Sequence, residues 1–216
     1  RYDLTVPFAR FVVMHQNEIQ FPFKRFQIQP VWRADRPQKG RYQEFYQCDA
    51  DVVGSHSLVY EAELVQIYDE VFHRLNIPVT IKINHRQILF GIAQKLGIED
   101  QFQAITVAID KMDKIGLAGV KTQLQIAGLD TNHIEWISEL LSQPNLENVE
   151  QLLADSSAAQ EGLLAIKTVF DFLKRTPLHQ QLKFDLTLAR GLSYYTGCIF
   201  EVAIDTQVIP SVQMGS

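Results

Sequence analysis

Cysteine is nearly absent from this sequence. Cys48 and Cys198 are the only two in 216 residues, which excludes a disulfide-stapled scaffold and leaves hydrophobic burial to hold the fold. Glycine and proline are sparse too: eleven and eight residues, about 9% of the chain against an average of roughly 12%, which excludes collagen-like or low-complexity character. No run of 18 apolar residues occurs, so no segment reads as a membrane-spanning helix. The formal net charge of -5 lacks the basic excess that advertises nucleic-acid binding. Familiar catalytic signatures are missing as well. The six histidines (His15, His56, His73, His85, His133 and His179) show no pair at the spacing of helical zinc ligands, and no Gly-x-Ser-x-Gly elbow or Gly-Lys-Ser phosphate loop is present. No metal site is expected.

What remains is a chain 46% hydrophobic and 21% charged, long enough for a substantial core and for one or two globular domains, with a cytosolic location as the default. It opens on Arg1 without a signal peptide and closes at Met214-Gly215-Ser216 without a polar tail, so it reads as an excerpt of a longer protein.

Periodicity divides the chain into three parts. In residues 1–84, Pro7 suits the first position of a helix carrying Phe8, Phe11 and Val12 on one side. Residues 26–32 alternate apolar with polar, and 42–53 follow after a loop from Arg33 to Arg41, which predicts an antiparallel pair. Ser57 suits the cap of a helix through Leu58, Ala62, Val65, Phe72 and Leu75, and Val79, Ile81 and Ile83 then alternate as a strand. Residues 85–176 are helical almost throughout, with Gly97 as a C-cap and Thr131 and Asn145 as helix starts. The stripe Leu163, Ile166, Val169, Phe170 and Leu173 reads as core. Strand alternation returns in 177–216, at Phe184, Leu186 and Leu188 and again from Cys198 to Ile204. The expected fold class is α+β: an antiparallel sheet flanked by helices and interrupted by an all-helical insertion.

Three groups of residues can carry chemistry. Lys24, Arg25, Arg33, Arg36, Lys39 and Arg41 place six cations in residues 24–41 against one acid, Asp35. Guanidinium forks of this kind suit phosphate, and Phe45 or Tyr42 can stack on a base; on charge alone a solvated loop is the readier account. Gln47, Asp49 and Asp51 share one strand face, a polar row fit to receive an ammonium group or simply to face water. Asp3 and Thr5 stand in the same two-residue relation. Finally, Leu188 to Gly197 delivers Arg190, a glycine that admits close backbone approach, and the adjacent Tyr194 and Tyr195, which point to opposite faces. Structural tyrosines in a glycine-bearing hairpin would look the same.

Together these segments resemble the histidine-specific class II aminoacyl-tRNA synthetases. FQIQPVWRADRPQKGRYQEFYQCDADVVG, residues 26–54, resembles motif 2 of that family, LARGLSYYTGCIFEV, residues 188–202, its histidine-specific signature, and RYDLTVPFAR, residues 1–10, its threonine-containing segment before motif 2. The resemblance implies a division into a first catalytic part, 1–84, a helical insertion domain, 85–176, and a second catalytic part, 177–216, cut before motif 3. It also implies the reaction: histidine and ATP, carrying Mg²⁺, give an adenylate, and the acyl group passes to histidine tRNA. By motif position, Arg33 would hold the histidine carboxylate and the α-phosphate, and Arg190 would supply a second cation there. Asp35 would face the adenine, Arg41 the distal phosphates, and Phe45 would stack on the base. Asp3, Thr5 and Gln47 would receive the α-ammonium group, while Asp51 with Tyr195, next to Tyr194, would reach the imidazole.

Asp3 and Asp51 stand where many family members carry Glu, one methylene longer. Motif 1, which builds the family's homodimer interface, and motif 3, with its ATP-binding arginine, are not among these residues; Gly215-Ser216 resembles the first step into the glycine-rich strand of motif 3. The piece alone is therefore expected to activate histidine poorly or not at all. Two non-catalytic relatives of the same fold compete: the regulatory subunit of ATP phosphoribosyltransferase, and tRNA-sensing synthetase-like domains. The presence of a long insertion together with Arg33, Arg41 and Arg190 favours the enzyme.

Overall fold

The computed structural model describes residues 2–38, 40–190 and 195–204. Lys39, Gly191 to Tyr194, Gly215 and Ser216, all invoked above, lie outside the described residues. The chain divides into two compact units, the first ending at Tyr60 and the second starting at Glu61.

The first unit holds helix α1 (Thr5–Met14) and strands β1 (Phe23–Trp32) and β2 (Glu44–Val53). Pro7 is the third residue of α1 rather than the first; both places lie in the first turn, where an N–H has no intrahelical partner to lose. Asp3 Oδ1 instead accepts from the Val6 N–H at 3.4 Å. β1 and β2 pair antiparallel in a register that sets Arg25 opposite Asp51, Gln27 opposite Asp49, Gln29 opposite Gln47 and Val31 opposite Phe45. Opposed residues share a face, so the half-buried face is polar along most of its length and apolar at the Val31 end. Phe26, Ile28 and Tyr46 lie on the other face and are exposed. Gln38 and Arg41 exchange backbone hydrogen bonds with Gly40 between them at φ 80°, a tight turn that glycine accommodates without strain.

The second unit begins within α2 (Val59–Arg74) and contains a three-stranded sheet of β3 (Val79–His85), β4 (Gln181–Phe184) and β5 (Cys198–Ile204), in the order β4-β3-β5. β3 and β5 pair antiparallel, as expected, whereas β4 lies parallel to β3. β4 also stops at Phe184, short of the expected alternation. There Asp185 turns the chain: its Oδ1 accepts from the Thr187 N–H at 3.0 Å and from Thr187 Oγ1 at 2.6 Å, the side-chain turn that aspartate offers in competition with a strand ladder. Leu186 and Leu188 are buried all the same, by this turn rather than by strand alternation.

Between β3 and β4 the chain forms α3 (Arg86–Leu96), α4 (Phe102–Ile109), α5 (Met112–Ile126), α6 (Thr131–Ser142), α7 (Leu146–Leu152) and α8 (Ser157–Leu173). Gly97 closes α3 at φ 68°, while Asp130, Asn145 and Ser156 cap α6, α7 and α8 by accepting from the N–H three residues on. α3 and α8 approach closely through small residues: a Cβ on Gly91 would stand 2.5 Å from that of Ala159. Of the expected stripe, Leu163, Ile166, Val169 and Leu173 are buried and Phe170 is half-buried. At its end the chain is caught by Asp69 on α2, which accepts from the His179 N–H (3.1 Å), the His179 ring (3.0 Å) and the Gln180 N–H (2.6 Å). Burial opposes the Asp69 charge, but these hydrogen bonds outweigh it and hold the carboxyl below its usual range. No helix among the described residues is long and apolar enough to cross a membrane.

Candidate active site

In the first unit the polar hairpin face is hydrogen-bonded along both strands. Arg25 Nη2 lies 2.7 Å from Asp51 Oδ2, Arg25 Nη1 donates to Gln27 Oε1 at 2.6 Å, Gln27 Nε2 donates to Gln29 Oε1 at 3.0 Å, and Gln47 Nε2 donates to Asp49 Oδ1 at 2.9 Å. Strand alternation produces this row, since every second residue of both strands is polar over the same stretch. Burial pushes the Asp51 carboxyl up, Arg25 works against that rise, and neighbouring Asp49 adds to it. The Arg25 guanidinium also lies over the Phe8 ring at 4.1 Å and donates to the Leu4 carbonyl at 3.3 Å. Beside it, between α1 and β1, is a cavity of about 420 Å³ lined by Pro7, Phe8, Phe11, Phe23, Arg25 and Gln27.

Arg33 leaves the end of β1, where its N–H is held by the Gln43 carbonyl at 2.8 Å. Its guanidinium lies 5.0 Å from the Phe45 ring centre and 5.6 Å from that of Tyr2. Among the described residues, Arg33 Nε and Gln47 Oε1 find no hydrogen-bond partner although both are buried. An unmet buried polar atom costs about 1–3 kcal/mol, a cost that a polar ligand reaching it would remove. Asp35 and Arg41 are exposed in the loop, Thr5 is exposed at the start of α1, and Asp3 is half-buried. The first unit thus places Arg33, Phe45, Gln47 and Asp51 along one hairpin face, with Asp35 and Arg41 beyond its end.

Arg190 and Tyr195 belong to the second unit; Tyr194 is outside the described residues. Arg190 has φ 40°, a conformation disfavoured for any residue with a Cβ. Its Nη2 lies 2.8 Å from Glu201 Oε2 on β5. Nearby, Lys82 on β3 pairs with Asp185 at 2.9 Å and with Asp113 at 3.6 Å. Burial opposes the Lys82 charge, yet Asp185, Asp113 and Glu201 together raise its pKa above the ordinary value. Asp185 is likewise opposed by burial and is lowered by its bonds from Thr187 and Lys82. Among the described residues no three His, Cys, Asp or Glu side chains gather as metal ligands.

Three participants were not legible as such. Arg25, counted above with the cations of the basic loop, sits on the hairpin face as the partner of Asp51; the Arg25-x-Gln27-x-Gln29 alternation on β1 was the signal for it. Glu201 and Arg86, the latter at the start of α3 with Nη1 donating to the Arg190 carbonyl at 2.8 Å, carry no local signal, because their partners are distant in sequence.

The Histidyl-tRNA synthetase family model matches residues 1–208. The histidine–tRNA ligase of Azobacteroides pseudotrichonymphae genomovar. CFP2 is 54% identical over 220 residues, covering 100% of this chain and 48% of that protein. Among solved structures, the histidyl-tRNA synthetase from Nostoc sp. PCC 7120 superposes with a TM-score of 0.85 at 32% identity, over 97% of this chain and 51% of that one. An ATP phosphoribosyltransferase regulatory subunit/histidyl-tRNA synthetase from Bacillus halodurans C has the same fold, with a TM-score of 0.80 at 21% identity, over 95% and 54%. The chain spans about half the length of the curated relatives it matches. With a family model matched over residues 1–208, this chain belongs to the histidyl-tRNA synthetase family.

Proposed function

We propose that this chain is the histidine- and ATP-binding part of a histidine–tRNA ligase. The observation that carries it is the hairpin face, where Arg33 stacks on Phe45 while Arg33 Nε and Gln47 Oε1 are buried and find no partner among the described residues. In the first step an oxygen of the histidine carboxylate forms a bond to the α-phosphorus of ATP, and the bond to pyrophosphate breaks. In the second, a terminal ribose hydroxyl of histidine tRNA displaces AMP from the acyl carbon and gives up its proton. Charge develops on phosphoryl and carbonyl oxygens in both steps, so fixed cations contribute more than a covalent nucleophile.

Arg33 is assigned to the carboxylate and α-phosphate, and Arg190 to the same phosphate. Phe45 stacks on adenine, Asp35 faces it, and Arg41 meets the distal phosphates, with Mg²⁺ arriving on ATP. Asp3, Thr5 and Gln47 receive the α-ammonium group. Asp51 takes the imidazole N–H with Tyr195, and Tyr194 flanks it. Selectivity follows from pairing both ring nitrogens: an apolar analogue would leave buried groups unmet, a penalty able to discriminate by about 10⁴. The residues 1–84, 85–176 and 177–216 then act as catalytic part, insertion domain and second catalytic part of a cytoplasmic, homodimeric enzyme.

Histidine-dependent ATP–pyrophosphate exchange tests the proposal. The full-length protein is expected to catalyse it, and the 216-residue chain alone poorly or not at all. A full-length protein that binds histidine without exchange would instead identify a regulatory or tRNA-sensing relative.

A further inference from the structure

Arg86, the first residue of α3, is 7% exposed, and its guanidinium is spent on backbone. Nη1 donates to the Arg190 carbonyl at 2.8 Å and approaches the Ala189 carbonyl at 3.4 Å. Its own N–H donates to the Gly197 carbonyl at 3.0 Å. One residue therefore holds the chain both at Arg190 and at Gly197. Two residues earlier on β3, the fully buried Asn84 donates its amide to the carbonyls of Leu186 (3.2 Å) and Leu188 (2.9 Å). Successive carbonyls leading to Arg190 are thus tied to the end of β3.

Such anchoring has a specific use at Arg190. A residue with a Cβ at φ 40° occupies a left-handed conformation that persists only where its surroundings over-determine it. The Arg86 hydrogen bond to the Arg190 carbonyl is one such constraint at the backbone, and Glu201 at 2.8 Å fixes the other end of the side chain. A charge-assisted hydrogen bond from a buried guanidinium is stronger than a neutral one and directional. Arg86 is itself fixed from the helical block: its guanidinium lies 4.6 Å from the centre of the Phe102 ring on α4, which meets Phe90 edge-on at 5.3 Å.

We propose that Arg86 is a positioning residue for Arg190, holding its backbone in the left-handed conformation that presents the guanidinium to the reacting phosphate, with Phe102 of the helical block bracing Arg86. This rests on the assignment of Arg190 above, and the test separates the two.

The test is histidine-dependent ATP–pyrophosphate exchange by the full-length protein, with thermal denaturation of each variant as a check on folding. Arg190→Ala comes first: an unchanged rate would overturn the Arg190 assignment, and this inference with it. Where Arg190→Ala is slow, Arg86→Met is expected to lower kcat by about tenfold or more, with KM for histidine and ATP within about threefold of the parent, as for loss of a group needed in the transition state. Arg86→Lys, which retains a cation and can reach one carbonyl, should recover part of the rate and serves in place of Arg86→Met should that variant not fold. The decisive measurement is the double variant of Arg86 and Arg190. Acting through Arg190, Arg86 adds nothing once Arg190 is gone, so the double variant should be no slower than Arg190→Ala alone. Losses that multiply, or an Arg86 variant with the parent rate, would overturn the proposal.

Discussion

Replacing Asp185 should destabilise the second unit by a predictable amount. Asp185 serves Lys82 at 2.9 Å, and the two side chains are only 15% and 20% exposed. Breaking a fully buried pair costs about 3–5 kcal/mol because the surviving charge is stranded. Here residual solvent access, and Asp113 at 3.6 Å but 73% exposed, reduce that to about 2 kcal/mol. The two hydrogen bonds from Thr187 add about 1 kcal/mol. Asp185→Ala should therefore cost about 3 kcal/mol, or roughly 6–12 °C in Tm for a chain of this size. Asp185→Asn keeps an acceptor for Thr187 and should lose only the charge part, about 2 kcal/mol. Adding Lys82→Met to Asp185→Asn removes the stranded ammonium and should restore most of that part.

Urea unfolding followed by Trp136 fluorescence, in a Trp32→Phe background, reports on the unit concerned. The pH dependence has a definite sign. The folded pKa of Asp185 is depressed below 3.8, so its contribution is complete above that value and disappears as pH falls through the folded pKa. The folded pKa of Lys82 is raised above 10.5, so its contribution is complete below that value and disappears as pH rises through the folded pKa. The gap between parent and Asp185→Asn should be flat from about pH 5 to 9 and close at both extremes. A gap under about 0.5 kcal/mol at pH 7, or one undiminished in strong acid, would refute the reasoning.

Two further outcomes are expected. Arg25→Met in the full-length protein removes the cation beside Asp51 and leaves that carboxylate with Asp49; KM for histidine should rise about tenfold, the worth of one charge-assisted hydrogen bond, with kcat little changed and partial recovery in Arg25→Lys, and an unchanged KM would separate Asp51 from histidine recognition. The Cys198 thiol is pushed up to about 12, by burial first and by Glu61 second, while Cys48 is exposed. Iodoacetamide at pH 8 should modify Cys48 well before Cys198, which has about one thiolate in ten thousand there; equal labelling rates by mass spectrometry would contradict that environment.

The hairpin and its polar face were legible because strand alternation is a local signal: Gln47, Asp49 and Asp51 declare a common face without knowledge of any partner. The helix starts at Thr131 and Asn145 were legible for the same reason, since the capping bonds, to Asp130 and to Asn145, come from only three residues on. What escaped detection depends on long separations. The pairing of β4 with β3, the Asn84 and Arg86 hydrogen bonds to the chain before Arg190, and the Arg190–Glu201 pair are set by tertiary placement, which leaves no periodicity. Phe184, Leu186 and Leu188 do alternate, but Asp185 diverts the chain into a turn, and the same burial arises from a different backbone path. Arg25 was counted with its loop neighbours because charge density ignores the face on which a side chain lies.

The parallel pairing of β4 with β3 has a consequence for how freely the helical block can be exchanged. Parallel neighbours begin at the same edge of their sheet, so a chain leaving the end of β3 must travel back along the full strand before it can enter β4. The last element before β4 is α8, whose 17 residues span about 25 Å, and it packs on α3 through Gly91 and Ala159. These two helices are therefore part of the sheet's wiring rather than of a detachable module. A shortened chain that joined β3 directly to β4 by a tight turn would have to pair the strands the other way round, turning every hydrogen bond of that edge. Exchanging the block within this chain would therefore have to keep α3 and α8 as the fixed frame and replace only α4 through α7.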